Sequence, residues 1–179
     1  MASNKLRVAI LGASGYTGAE LVRLLSRHPQ VAIVALTADR QAGKPAAEVF
    51  PQLVLQDLPT LTRIDDVDWS GVDFVFCCLP HGLTQEVIAK LPRHLKIVDL
   101  SADFRLTDIE AYATWYGHAH HAPHLQKEAV YGLTEIRREA VRKARLVANP
   151  GCYPTASQLP LIPLVESKLV HAGGTIIEA

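Results

Sequence analysis

A cysteine lies in a Pro-Gly turn within the segment ANPGCYPT, residues 148–155 of this 179-residue chain. Cys152 follows the mainly apolar run Ala144–Ala148 and precedes a segment with a helical pattern. A helix N-terminus stabilises a thiolate through its unpaired N–H groups, and the thiolate is the nucleophilic form of cysteine. Pro154 suits a first helical turn, where its missing N–H is not needed. These residues fit a reactive thiol, and a buried structural thiol is the alternative.

A glycine-rich turn, GASGYTG, begins at residue 12. It follows an apolar run and opens a helical pattern, which is where a dinucleotide-binding fold holds a pyrophosphate. Gly12 would permit the tight turn, Gly15 would let a phosphate approach the backbone, and Gly18 would allow close helix packing. Ser14 and Thr17 would add hydroxyl donors. The spacing differs from the usual G-x-G-x-x-G, so a glycine turn that only caps a helix is the alternative.

The end of the second predicted strand bears on the choice of nucleotide. Thr37 is a candidate cofactor contact there, and Asp39 lies about 20 residues after the glycine turn, where a carboxylate takes the ribose 2′-hydroxyl of NAD. Arg40 is next to it and could instead pair with the 2′-phosphate of NADP. These residues leave both nucleotides open.

The periodicity of the chain predicts the elements that position these motifs. Strands are expected at residues 6–11, 31–37, 72–79, 96–100, 145–148 and 174–178, and helices at 18–27, 83–90, 135–143 and 152–169. Residues 40–66 and 101–130 are expected to be mostly irregular. Alternating strands and helices predict an α/β fold with a doubly wound parallel sheet, a Rossmann-like NAD(P)-binding domain over residues 1–150. Residues 151–179 would be the cysteine helix and the first strand of a second, α+β catalytic domain.

Composition and charge argue against several classes of partner. Lys and Arg total 18 and Asp and Glu total 18, so no broad electrostatic surface for nucleic acid or anionic membrane is expected. No apolar run is long enough to span a bilayer, and no targeting segment precedes the first strand. Three cysteines, two of them adjacent, do not form a disulfide framework, which indicates a reducing compartment. We therefore expect a cytoplasmic protein.

Six motifs then occur in order along the chain: GASGYTGAEL, LPHG, SADFR, WYG, AVYGLTE and NPGCYPTA. Together they closely resemble the N-acetyl-γ-glutamyl-phosphate reductases, NADPH-dependent enzymes of arginine biosynthesis. The resemblance implies that Cys152 attacks an acyl phosphate, releases phosphate and forms a thioester, which NADPH reduces to the semialdehyde. It also implies a homo-oligomer for the intact enzyme and no metal.

The same resemblance assigns roles to residues that follow the third and fourth strands. Cofactor or active-site contacts are implied for Pro80, His81, Gly82 and Ser101. Arg105 and Asn149 are implied substrate contacts, and Asp103 is expected to orient Arg105. The alternative for LPHG is a plain helix-entry turn.

Two further groups are expected to have structural roles. The histidines of WYGHAHHAPH are predicted to lie in a polar surface loop rather than on a metal: His118, His120, His121 and His124. Cys77 and Cys78 lie inside an apolar strand and are predicted to belong to the core.

The resembling enzymes are about twice as long as this chain, so we expect an N-terminal portion that lacks the general acid/base histidine and does not turn over alone. Two other functions stay open. One is a related reductase that acts on an aminoadipyl or aspartyl phosphate. The other is a non-catalytic nucleotide-binding chain that serves as an interaction module.

Overall fold

The computed structural model describes residues 5–178, so residues 1–4, on which the expectation about a targeting segment partly rests, and Ala179 lie outside it. Its centre is a seven-stranded sheet in the order β3-β2-β1-β4-β5-β7-β6, and every pairing is parallel. The strands are β1 (Leu6–Leu11), β2 (Val31–Thr37), β3 (Leu61–Thr62), β4 (Phe74–Cys77), β5 (Lys96–Asp99), β6 (Ala129–Tyr131) and β7 (Leu146–Ala148). The predicted doubly wound parallel α/β fold is confirmed.

In the part of the chain that the structure describes, seven helices accompany the sheet: α1 (Tyr16–Leu25), α2 (Ala46–Val49), α3 (Thr84–Lys90), α4 (Ile109–Tyr116), α5 (Pro123–Gln126), α6 (Thr134–Lys143) and α7 (Cys152–Glu166). Short 3₁₀ turns lie at residues 51–53, 64–66 and 69–71. Within residues 5–178, every helix is too short or too polar to cross a lipid bilayer.

Both faces of the sheet are covered, as its apolar strands require. Val8 and Ile10 of β1 belong to one hydrophobic cluster, which also contains Val22 of α1. Ala9 and Leu11 point the other way, into a second cluster formed with α3 and α5. This period of two places alternate side chains on opposite faces of a strand. Burial on both faces fixes the register of β1.

The predicted strand over residues 174–178 is absent. No strand of the described chain lies beside this segment, and its one backbone hydrogen bond runs from Thr175 N to Ala172 O at 3.5 Å. None of residues 152–178 is buried. An apolar, β-branched sequence forms a strand only when a neighbour accepts its hydrogen bonds and covers its side chains. The segment TIIE has strand propensity, but it has no neighbouring strand within the described chain.

Glu128 joins two arginines where β6 and β7 begin. Its Oε1 accepts hydrogen bonds from Arg145 Nη2 at 2.8 Å and Arg93 Nη1 at 2.6 Å. The Arg145 side chain is 15% exposed and that of Glu128 27%. The hydrogen bonds from Arg93 and Arg145 lower the pKa of Glu128 to about 2.

We expect Glu128→Gln to lower the free energy of unfolding at neutral pH by about 2 kcal/mol, allowing for partial solvent screening. Because its folded pKa lies below the ordinary value of 4.5, this carboxylate stabilises the fold above pH 4.5, and the contribution is lost as the pH falls toward 2. Urea unfolding over this pH range should show the two proteins converging in acid. Glu139→Gln, in an exposed pair, is the control and should cost less than about 0.5 kcal/mol.

Candidate active site

The glycine turn closes between the ends of β1, β2 and β4. Gly12 has a φ of +73°, and a Cβ on it would lie 2.5 Å from the carbonyl oxygen of Cys78. A Cβ on Gly18 would lie 2.6 Å from Gly12 O, whereas one on Gly15 would meet nothing closer than 3.5 Å. Gly12 and Gly18 are therefore required by close backbone contacts, and Gly15 leaves the turn open at the start of α1.

Thr37 holds this turn in place from the end of β2. It is buried, its Oγ1 accepts from Gly12 N at 3.3 Å, and its carbonyl accepts from Ala13 N at 2.8 Å. The first two N–H groups of the turn are thus satisfied by one residue. Gly15 N donates back to Gly12 O at 3.0 Å, and α1 begins directly after Gly15, so a helix N-terminus lies at this turn as it does at the phosphate sites of nucleotide-binding folds.

A crevice of about 860 Å³ opens beside the turn, where the strand order reverses between β1 and β4. Ligands of open parallel sheets bind at this switch point, outside the carboxyl ends of the strands. The glycine turn lines it with Gly12, Ser14 and Gly15, and the end of β4 lines it with Leu79 and Pro80. Its far wall carries the apolar side chains of Ile64, Trp69, Val87 and Leu91, and the charged residues Asp65 and Lys90 also line it.

Of the two charged residues predicted after β2, only Asp39 lines this crevice. Arg40 is exposed and, like Thr17, lies outside the lining. A different arginine lines it: Arg63 Nη2 lies 3.4 Å from Asp39 Oδ1. Sequence reasoning missed Arg63 because it sits in a segment expected to be irregular. The pairing of β2 with β3, Thr37 opposite Thr62, brings it beside Asp39.

The LPHG and SADFR turns are fastened to each other. Gly82, with a φ of +82°, donates its N–H to both oxygens of Asp103, at 2.9 and 3.0 Å. Ala102 donates its N–H to His81 Nδ1 at 2.9 Å, which leaves Nε2 as the protonated nitrogen of the neutral ring. The side chain of His81 is exposed. These bonds fix LPHG against the loop after β5, so it is more than a helix-entry turn.

Asp103 does not orient Arg105, contrary to expectation. It is fully buried, and besides Gly82 it accepts from the Tyr112 hydroxyl at 3.2 Å. Tyr112 in turn accepts from Gln85 Nε2 at 2.8 Å. Burial and the nearby Asp103 charge raise the pKa of Tyr112. Asp103 therefore ties α4 and α3 to the LPHG turn.

Asp99, at the end of β5, is a second buried carboxylate that sequence reasoning did not single out. It accepts from Ser101 N at 3.0 Å and from Ser101 Oγ at 2.7 Å. Burial raises its pKa to about 6, against the opposing effect of the two Ser101 bonds. Ser101 is itself buried, so its hydroxyl shapes the loop from within the fold.

Arg105 is anchored by two backbone carbonyls. Its Nε donates to Asn149 O at 2.9 Å and its Nη2 donates to Leu100 O at 3.1 Å. Its Nη1 lies 3.0 Å from the position that a Cβ on Gly151 would take. The Asn149 side chain donates to Pro150 O at 3.1 Å. A cationic group is thereby held against the turn that carries the cysteine.

Cys152 is the first residue of α7, directly after the N-cap Gly151, and its side chain is exposed. The predicted strand–turn–helix junction is present. Cys77 is buried as predicted, and burial and the Asp99 charge raise its pKa far above the ordinary range. Burial, with Asp99, raises the pKa of Cys78 to about 12. Cys78 was predicted inside the strand, but it lies one residue past the end of β4 and is half-buried. Only Cys152 has the exposure that a nucleophile requires.

One histidine departs from the predicted surface loop. His120 is buried at 8% exposure, with its ring 4.9 Å from that of Tyr112 and its Nε2 within 3.0 Å of Asp103 O. Burial lowers its pKa. His118, His121 and His124 are exposed as expected. Among residues 5–178 there is no group of three or more His, Cys, Asp or Glu side chains placed to hold a metal ion.

The family comparison agrees with this geometry. Residues 7–144 match the model of the semialdehyde dehydrogenase NAD-binding domain, a nicotinamide-nucleotide-binding oxidoreductase domain. The chain belongs to that family. The semialdehyde dehydrogenase NAD-binding domain thus covers β1 to α6, and its match ends just before β7 and the cysteine turn.

Two relatives of this semialdehyde dehydrogenase domain carry a more specific name. A protein of Oryza sativa named probable N-acetyl-γ-glutamyl-phosphate reductase, chloroplastic, is 64% identical over 98% of the chain and 42% of its own length. The N-acetyl-γ-glutamyl-phosphate reductase of Rhodospirillum rubrum is 62% identical over 99% of the chain and 52% of its own length. The chain therefore spans about half the length of these relatives.

Solved structures share the fold of this semialdehyde dehydrogenase domain. Aspartate semialdehyde dehydrogenase II of Vibrio cholerae superposes with a TM-score of 0.61 over 91% of the chain and 47% of its own, at 19% identity. Aspartate semialdehyde dehydrogenase of Candida albicans, solved with NADP, gives a TM-score of 0.59 over 91% of the chain and 47% of its own, at 18% identity.

Proposed function

We propose that this chain supplies the nucleotide site and the nucleophile of an N-acetyl-γ-glutamyl-phosphate reductase, an enzyme of arginine biosynthesis. The observation that carries the proposal is an exposed Cys152 at the start of α7, with the Arg105 guanidinium held beside Gly151. The glycine-turn crevice opens on the same edge of the sheet, three strand spacings away, or about 14 Å. The names of the two relatives above support the choice of substrate.

The crevice fits a nicotinamide dinucleotide, and we propose NADP(H). The open backbone at Gly15, with Gly12, Ser14 and Thr37, would receive the pyrophosphate at the N-terminus of α1. The apolar wall of the crevice suits an adenine ring. Contacts nearer the cysteine would come from Pro80, His81, Gly82 and the Ser101 backbone. When bound, the nucleotide supplies the hydride that reduces the acyl group.

Cys152 performs the first chemical step. Its Sγ attacks the carbonyl carbon of the acyl phosphate, the carbon–oxygen bond to phosphate breaks, and inorganic phosphate leaves with the bonding electrons. Cys152 attacks from the N-terminus of α7, where unpaired backbone N–H groups favour negative charge. Arg105 binds an anionic group of the substrate, either the leaving phosphate or a carboxylate, in the position its two carbonyl bonds fix.

After the acyl group is reduced, the carbon–sulfur bond breaks and the Cys152 thiolate is restored as the aldehyde leaves. Asn149 acts on the substrate indirectly. Its carbonyl oxygen accepts a hydrogen bond from Arg105 and so positions the guanidinium that binds the substrate. We propose that residues 1–150 form the nucleotide domain and residues 151–179 the start of a catalytic domain. We further propose that the intact enzyme is a homo-oligomer. We also propose that it is cytoplasmic, because a reducing compartment keeps the thiol nucleophile reduced.

A chimera tests the proposal: residues 1–179 replace the matching half of the Rhodospirillum rubrum reductase, which is 62% identical here. We expect the chimera to reduce N-acetyl-γ-glutamyl phosphate with NADPH. The fall in NADPH absorbance measures the rate. Cys152→Ser should abolish it and leave NADPH binding unchanged. A chimera that binds NADPH and lacks activity, beside an active parent enzyme, would instead support a non-catalytic nucleotide-binding chain.

A further inference from the structure

Two arginines lie near the end of the crevice where a ribose 2′-substituent would sit, and the structure separates them. Arg63 lines the crevice and reaches toward Asp39 Oδ1 at 3.4 Å. Arg40 follows Asp39 in the chain but lies outside the lining. We propose that Arg63 is the residue that recognises the 2′-phosphate of NADP(H) and so determines the choice of nucleotide; this rests on the proposed nucleotide site.

The backbone fixes Arg63 opposite the ribose-binding position. Ala38 N donates to Thr62 O at 2.9 Å, which extends the pairing of β2 and β3 one residue past the strand. Asp39 and Arg63 therefore leave adjacent parallel strands at the same edge of the sheet. Arg40, by contrast, lies in the turn that follows Asp39, where it is exposed and outside the crevice lining.

A 2′-phosphate placed beside the Asp39 carboxylate requires a neighbouring cation. Asp39 alone suits a ribose hydroxyl, because a carboxylate accepts hydrogen bonds and repels phosphate. The guanidinium of Arg63 neutralises a phosphate placed beside that carboxylate and offers a planar fork of donors. Its contact with Asp39 is long, and the two side chains are 67% and 85% exposed, so the guanidinium turns to a phosphate at little cost.

The segment after β3 also supplies the neighbouring part of the nucleotide site. Ile64 directly follows Arg63, and Trp69 lies on the same wall, both half-buried and packed against the core. An aromatic and an aliphatic side chain form a surface on which an adenine ring stacks. One short segment thus recognises both the base and the 2′-phosphate.

The test compares 2′,5′-ADP with 5′-AMP, which differ by the 2′-phosphate alone, using calorimetric titration of the 179-residue chain. We expect the unmodified chain to prefer 2′,5′-ADP. Arg63→Gln should weaken 2′,5′-ADP about 10- to 100-fold and leave 5′-AMP within about 2-fold. Asp39→Asn should strengthen 2′,5′-ADP binding by about 2- to 5-fold, because it removes a negative charge beside the 2′-phosphate.

Three substitutions make the result decisive. Arg27→Gln, at an exposed site on the chain remote from the crevice lining, is the matched control and should change neither affinity. Arg40→Gln and Lys90→Gln should each weaken the binding of 2′,5′-ADP by less than about 3-fold. The assignment of Arg63 is overturned if Arg63→Gln still prefers 2′,5′-ADP to 5′-AMP and either Arg40→Gln or Lys90→Gln loses that preference. The proposed NADP site would stand in that case. If the unmodified chain binds neither probe, the nucleotide site itself is wrong.

Discussion

Iodoacetamide is expected to modify Cys152 at least about 1,000-fold faster than Cys77 or Cys78 in the folded chain near pH 8. Cys152 is exposed at the start of α7, whereas Cys77 is fully buried in β4. With a pKa of about 12, Cys78 is thiolate in only about one molecule in 10⁴ at that pH. The pKa of Cys77 is raised as well, and its sulfur has no access to reagent.

Mass-spectrometric mapping of the labelled peptides over time measures the three rates separately. In denaturant the burial of Cys77 and Cys78 is removed, so all three thiols should then react at similar rates. Cys152→Ser should remove the fast phase from the folded protein and leave the slow ones. Equal labelling of the three cysteines in the folded chain would remove the physical support for Cys152 as the nucleophile.

Gly18→Ala is expected to lower the free energy of unfolding by about 3 kcal/mol, although alanine favours helices. The added Cβ would lie 2.6 Å from Gly12 O and 2.7 Å from Ala13 Cα, both backbone atoms of the glycine turn. Backbone held by β1 and Thr37 cannot move aside as a flexible side chain would. Either α1 shifts away from the sheet or the turn distorts, and both disturb the nucleotide site.

Gly15→Ala is the matched control, because its Cβ would meet nothing closer than Gly12 O at 3.5 Å. We expect it to cost less than about 1 kcal/mol and yet to weaken NADPH binding, since the methyl group occupies the space through which a phosphate approaches. Urea unfolding together with NADPH titration separates the two effects. Equal losses of stability in the two variants would contradict the assigned glycine roles.

Local sequence determined the parts of this protein that depend on neighbouring residues. The apolar runs at residues 6–11 and 31–37 placed β1 and β2 correctly, because a parallel strand covered on both faces is apolar over nearly its whole length. Turn chemistry placed the glycine loop, where Gly12 has a φ of +73°, and the Pro-Gly turn followed by Pro154 placed the start of α7. α1 begins two residues before the predicted start and α7 ends three before the predicted end, where the turn bonds rather than the apolar pattern set the limits.

Pairing between distant segments decided what the local pattern could not. β3 and β6 have two and three residues, too short for any alternation, and exist through their pairing with β2 and β7. Residues 174–178 have the propensity of a strand and no neighbour within the described chain, so they form none.

The motifs NPGCYPT and GASGYTG by themselves determined where the exposed thiol and the glycine turn lie, because a helix start and a tight turn are local structures. Only the tertiary structure decided which side chains face them. Asp103 bonds to Gly82 and Tyr112 rather than to Arg105, His120 is buried, and Arg63 replaces Arg40 beside the crevice. Each of these contacts joins elements that sheet order and packing bring together. Such contacts cannot be predicted from the spacing of residues along the chain, because their partners are distant in sequence.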